Sequence, residues 1–76
     1  MMMNEAIAQF IVSRIIEYAN DAINEEKNNK GDAFYKGRKL AYYEILDTIK
    51  SELDAHDEPL SEYGLNINLE KVFYAN

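Results

Sequence analysis

Between Ala6 and Ile23, apolar positions return every three or four residues. One side of a helix drawn at about 100° per residue holds Ile7, Ala8, Ile11, Val12, Ile15, Ile16, Tyr18, Ala19, Ala22 and Ile23. The other side holds Ser13, Glu17, Asn20, Asp21 and Asn24, and no Gly or Pro interrupts the run. The pattern predicts an amphipathic helix over about 4–28, with Asn4 accepting a backbone N–H as its N-cap. The periodicity stops in Glu25-Glu26-Lys27-Asn28-Asn29-Lys30-Gly31. Asn and Gly there tolerate the left-handed backbone that closes a helix, so a turn is expected at 29–31. Lysines at that end suit the negative pole of the helix dipole.

A second helix is predicted over about 32–56, capped by Asp32. Its expected apolar face is Phe34, Ala41, Tyr42, Ile45, Leu46, Ile49 and Leu53, with Leu40 and Tyr43 lying off it. Asp57-Glu58-Pro59 should end it, because the residue before Pro is pushed out of helical angles. Two helices of about 35 Å joined by a short turn must run antiparallel. Pivoting the hairpin near Lys30 sets Ala19 against Ala41, Ile23 against Gly37, Ile15 against Ile45, Val12 against Ile49 and Ala8 against Leu53. Gly37 then reads either as a point of close helix approach or as an irregular start to the second helix.

The tail, 57–76, alternates apolar and polar residues at Leu65, Ile67 and Leu69, but no partner strand exists for it. An extended segment and a short helix over 69–74, capped by Asn68, is the expectation. Leu65, Ile67, Leu69, Val72 and Phe73 should cover apolar surface left by the hairpin. The fold class expected is all-α: one domain, 1–76, an antiparallel two-helix hairpin with a short C-terminal segment.

The apolar arc of the first helix is about 180° wide, against the roughly 100° that one neighbouring helix covers. A chain of 76 residues also buries only about 60% of its surface alone. Either the tail or a second copy of the chain must cover the rest, and the expectation is a homodimer, two hairpins making a four-helix bundle. Candidate interface residues are Ile7, Phe10, Ile11, Tyr18, Tyr43 and Phe73, with Tyr63 and Tyr74 as further surplus aromatics.

Charge narrows the choice of partner. Fourteen acidic and eight basic side chains leave a net charge of −6, which argues against general nucleic-acid binding. There is no Cys, so disulfides, thiolate metal sites and cysteine nucleophiles are excluded. No apolar run is long enough to suggest a membrane span. The segment Met1-Met2-Met3-Asn4-Glu5 lacks the basic start of a secretory signal, so the expected location is cytoplasmic.

The densest local chemistry is basic: Lys27, Lys30, Lys36, Arg38 and Lys39, with Phe34 and Tyr35 among them. Basic groups interleaved with aromatics can hold phosphates and stack bases. The hairpin pairing also sets Glu25 opposite Lys36 and Asp21 near Lys39, which would neutralise much of that cluster. His56 follows Glu52 by four residues and could share a helical face with it, too few ligands for a structural metal. Ser13, Ser51 and Ser61 lack a nucleophile context, and no carboxylate is set in clearly apolar surroundings. Tyr18, Tyr35, Tyr42 and Tyr43 fit packing at helical spacing better than a ligand box. No catalytic, metal-binding or cofactor-binding residue is assigned, and no cofactor is expected.

The run Phe34-Tyr35-Lys36-Gly37-Arg38, followed by Ala41-Tyr42-Tyr43-Glu44-Ile45-Leu46, resembles short bacterial helical-hairpin proteins without an assigned function, some carried on phage or mobile elements. The resemblance implies a bacterial protein and carries over no functional residue. The leading expectation is a non-enzymatic, homo-oligomeric protein-interaction module with an unidentified protein partner. The alternative is a small nucleic-acid-associated regulator using the basic cluster at 27–39. A third option is an acidic protein that mimics nucleic acid or occupies a basic partner, through groups such as Asp54, Asp57, Glu58 and Glu62.

Overall fold

Local capping defines where each helix starts. In the computed structural model, which describes residues 4–75, the Asn4 side chain accepts from the Ile7 N–H at 2.9 Å and opens α1, Glu5–Asn28. Asp32 accepts from the Phe34 N–H at 2.9 Å and opens α2, Ala33–Ala55. A 3-10 turn, Leu60–Tyr63, precedes α3, Leu69–Tyr74, which Asn68 opens by accepting from the Lys71 N–H at 3.1 Å. Each cap satisfies a backbone donor that the first helical turn leaves unpaired. Met1–Met3 and Asn76, which the readings of the amino terminus and the tail included, lie outside the described residues.

The turn between α1 and α2 closes as its residues suggest. The Asn29 N–H donates to the Glu26 carbonyl, its side-chain amide donates to the Glu25 carbonyl at 2.8 Å, and Gly31 takes φ +90°. α2 ends where the Asp57-Glu58-Pro59 segment was expected to end it, but by a different means. Asp57, not Pro59, makes the stop: it adopts φ 59°, its N–H donates to Asp54, and the Glu58 N–H donates to Leu53 at 2.9 Å. This is a Schellman closure with Asp where Gly is commonest. Gly64, at φ +74°, closes the 3-10 turn in the same way, with the Leu65 N–H reaching Leu60.

The chain is all-helical, and its two long helices are in contact. Among the described residues no strand forms. The core joins Val12, Ala19 and Ile23 of α1 and Leu46 of α2 to four residues of the tail: Tyr63, Leu65, Leu69 and Phe73. Half the core therefore comes from the last fifth of the chain. Val72, expected to help, points outward and stays 44% exposed. Tyr63, expected at an interface, is buried.

The face of α2 is rotated from the expected one. Leu46 is buried, and Tyr42, Tyr43, Ile49 and Leu53 are partly buried against the core, while Phe34, Ala41 and Ile45 are exposed. The predicted facing pairs shift accordingly. Glu25 meets Arg38 rather than Lys36, and Lys39 meets Glu26 rather than Asp21. The cause is the tail. It lies along one flank of the hairpin, where Tyr43 packs edge-on to Phe73 and Tyr74 at 5.5 Å, and the Lys50 ammonium donates to the Ile67 carbonyl. To bury surface against both α1 and the tail, α2 turns its Tyr43 side inward and releases its Ala41–Ile45 side.

Gly37 follows that rotation outward. A Cβ placed on it meets nothing within 4 Å, so no close helix approach occurs there, and the helix is regular through it. Gly37→Ala is therefore expected to stabilise the protein by about 1 kcal/mol through helix propensity alone. The urea midpoint should rise at constant slope. A destabilised variant would show that another surface closes on this position.

Candidate functional site

The surface left by the rotation is the most distinctive feature of the molecule. The tail occupies the flank of α1 that carries Ile16, whose Cδ1 lies 3.5 Å from a Cβ placed on Gly64. Ile11 and Tyr18 sit roughly 140–160° round α1 from Ile16, and Ile45 sits a similar angle round α2 from Tyr43. In an antiparallel hairpin these positions share the broad side facing away from the tail. Ile7, Ile11, Tyr18 and Ile45 stay 50%, 41%, 45% and 44% exposed on it. Phe34, 68% exposed, extends the same side toward the turn.

Charged groups border this apolar strip, and one pair, Arg38–Glu25, bridges the two helices between Tyr18 and the turn. On α1 the Arg14 guanidinium sits 5.7 Å from the Tyr18 ring centre, contacts its hydroxyl at 3.4 Å and lies 3.7 Å from Glu17. The hydroxyl contact, then the Glu17 charge, raise the Arg14 pKa further above its ordinary value. On α2 Arg38 spans to Glu25 at 3.1 Å and stacks 5.5 Å from the Tyr42 ring. That Arg38 nitrogen is close to the carboxylate but not aligned for a hydrogen bond with it.

At the open end of the hairpin a recess of about 420 Å³ lies between the C-terminal half of α2 and Glu58 and Tyr63 at the start of the tail. Ile49, Leu53 and Tyr63 contribute apolar lining, and Thr48, Glu52 and His56 border it. Burial, then the charges of Glu58, Glu5 and Glu62, push the Tyr63 phenol above its ordinary pKa of 10.0. A larger open groove of about 630 Å³ lies on the tail side, between α2 and residues 66–70. Its Lys50 already holds the tail backbone. Burial, then Glu70 and Asp47, raise the Tyr43 pKa there, keeping it a neutral packing group.

The candidate interface residues of the sequence divide. Ile7, Ile11 and Tyr18 come together on the open side. Phe10, 65% exposed, lies further round α1. Phe73 is buried inside the chain and Tyr43 is half-covered by the tail, so neither is offered to a partner as the sequence reading supposed. The basic cluster divides too. Lys27, Lys30 and Lys36 are exposed. Arg38 is paired with Glu25, and Lys39 is inserted between Glu26, at 3.2 Å, and the Tyr74 ring, at 4.5 Å. Two of the five cations are thus committed inside the fold. Among the described residues no three His, Asp or Glu side chains converge as metal ligands, and no helix is long and apolar enough to cross a membrane.

The sequence reading did not single out Phe34, Arg38, Ala41, Ile45, Thr48 and Glu52 as one stripe. Their spacing alternates four and three, as in a coiled-coil seam, and is visible in the sequence. Three polar members hid it from a search for apolar faces. No family model matches the chain, and no match was found among curated proteins or solved structures.

Proposed function

We propose that this protein is a homo-oligomeric, non-enzymatic protein-interaction module, and that it associates through the side of the hairpin facing away from its tail. The observation that carries this reading is the strip of Ile7, Ile11, Tyr18 and Ile45, large apolar side chains left about half exposed in one place. Fully burying a side chain of this size is worth about 1.5–3 kcal/mol, and roughly half of that remains to be gained by covering each of these. Scattered exposed apolar residues need no explanation, but a contiguous set rimmed by charged groups marks an interaction surface.

Two hairpins joined on this side make a four-helix bundle with both tails outside. The acidic surplus of the chain keeps such bundles apart from one another. Sedimentation equilibrium of the full chain tests the reading. The expected mass at micromolar concentration is about twice the 8.8 kDa of one chain, falling toward one chain on dilution. A single-chain mass across the whole concentration range would overturn it.

A further inference from the structure

The stripe on α2 is self-complementary, and this identifies the occupant and its pose. Resting on the dimer reading above, we propose that a second copy docks with its α2 antiparallel to the first, about a two-fold axis passing beside Ile45, and that Phe34 of each copy fills the recess at the far end of the other's α2. Three features of the stripe agree on this pose.

The first is a knob and a hole. Phe34 is the most exposed large apolar side chain of the described residues. The recess is bordered by Thr48 and Glu52 of the stripe together with Ile49, Leu53 and His56. Phe34 precedes Ile45 by as many residues as His56 follows it. Rotation about Ile45 therefore carries Phe34 to the level of the partner's His56. An aromatic anchor in an apolar pocket is the usual centre of binding energy at an interface.

The second is charge. Arg38 and Glu52 are also equally spaced on either side of Ile45. The antiparallel pose sets each Arg38 against the partner's Glu52. Arg38 is already charge-paired with Glu25, so the dimer builds a carboxylate–guanidinium–carboxylate chain across the seam. The third is size. Ala41 meets the partner's Ile49, small against large, while Ile45 meets itself at the axis.

The parallel pose fails on each count. It stacks Arg38 on Arg38 and Phe34 on Phe34, and leaves both recesses open. A head-to-tail pose seats only one Phe34 per contact and propagates into filaments instead of closing.

Three variants of the full chain test the pose, with helicity followed by circular dichroism. The protein has no Cys, so Ile45→Cys places one thiol beside the axis. Mild oxidation should give a disulfide-linked dimer, while Leu40→Cys, on another side of α2, should not link. Phe34→Ala should weaken dimerisation at least about tenfold with helicity unchanged. Glu52→Arg alone should weaken it similarly, and Glu52→Gln, which removes the charge without reversing it, should weaken it less. A dimer that links through Leu40→Cys instead of Ile45→Cys, or one indifferent to Phe34→Ala, would overturn the pose while leaving the dimer reading intact. A wild-type chain that stays monomeric would overturn both.

Discussion

Replacing Leu65 with Ala is expected to cost about 3 kcal/mol of folding stability, lowering the melting temperature by roughly 15 °C. Leu65 is fully buried, at 0% exposure, although it sits in an irregular segment between two short helices. It belongs to the same cluster as Val12, Ala19, Ile23 and Leu46, so truncation leaves a cavity at the meeting point of α1, α2 and the tail. Its backbone N–H is held by the Leu60 carbonyl, which limits how far the segment can collapse into that cavity. Small-to-moderate domains have only about 5–15 kcal/mol in total, so a loss of this size takes a large share. Val72→Ala is the matched control, since Val72 is 44% exposed and should change stability little. Urea denaturation of both variants at one fixed protein concentration checks this, because association adds to apparent stability. A loss at Leu65 no larger than at Val72 would mean that the tail is not part of the folded unit.

The second large effect is expected at Lys39. Its side chain is 12% exposed and its partner Glu26 15%, the most enclosed ion pair among the described residues. The ammonium donates to Glu26 Oε1 at 3.2 Å and lies 4.5 Å from the Tyr74 ring centre. Lys39→Met keeps the apolar stem and removes the charge. Glu26 is then left enclosed without a counter-ion, and the cation–π contact to Tyr74 is lost. We expect a loss of about 2–3 kcal/mol, mostly from the stranded carboxylate. Glu26→Gln combined with Lys39→Met removes the stranded charge and should recover most of that loss. The coupling in this double-mutant cycle is the quantity to measure. If the two single losses simply add in the double variant, the pair is a surface contact and not an enclosed one. Arg14 and Glu17, more than half exposed at 3.7 Å, should show almost no coupling in the same experiment.

These two residues also mark where the sequence could and could not be read. Helix starts were legible because capping is local. Asn4, Asp32 and Asn68 each reach a backbone N–H two or three residues on, and that depends on nothing distant. The stop of α2 was placed near the right residues for a different reason. Pro59 drew attention to the region, but the closure is made by Asp57 in a conformation that Asp adopts less readily than Gly. Lys39 looked like part of a phosphate-binding cluster because composition shows charge and not burial. Its long stem lets it sit largely enclosed beside Glu26, which no periodicity reveals.

The candidate surface was legible in half. The wide apolar arc of α1 showed that one helix could not cover it, and Ile7, Ile11 and Tyr18 are indeed exposed. Its counterpart on α2 was assigned to the core instead. An apolar stripe wide enough to face two neighbours does not say which flank each neighbour takes. The alternation of Ala41, Ile45 and Ile49 fitted the hairpin seam as well as Tyr42, Leu46 and Leu53 did.

What the sequence by itself determined is therefore the inventory: two long amphipathic helices, a turn at Asn29–Gly31, a short capped C-terminal helix, and more apolar surface than a hairpin can use. Those are consequences of periodicity and of bonds between residues a few positions apart. Only the tertiary structure decided the rotation of α2, the burial of Tyr63, the placing of Phe73 in the core and not at an interface, and the release of Phe34 and Ile45 to the outside. The physical reason is competition for one flank. The tail, tethered by a stop at Asp57 and a turn at Gly64, reaches that flank and covers it, and the opposite side is left uncovered.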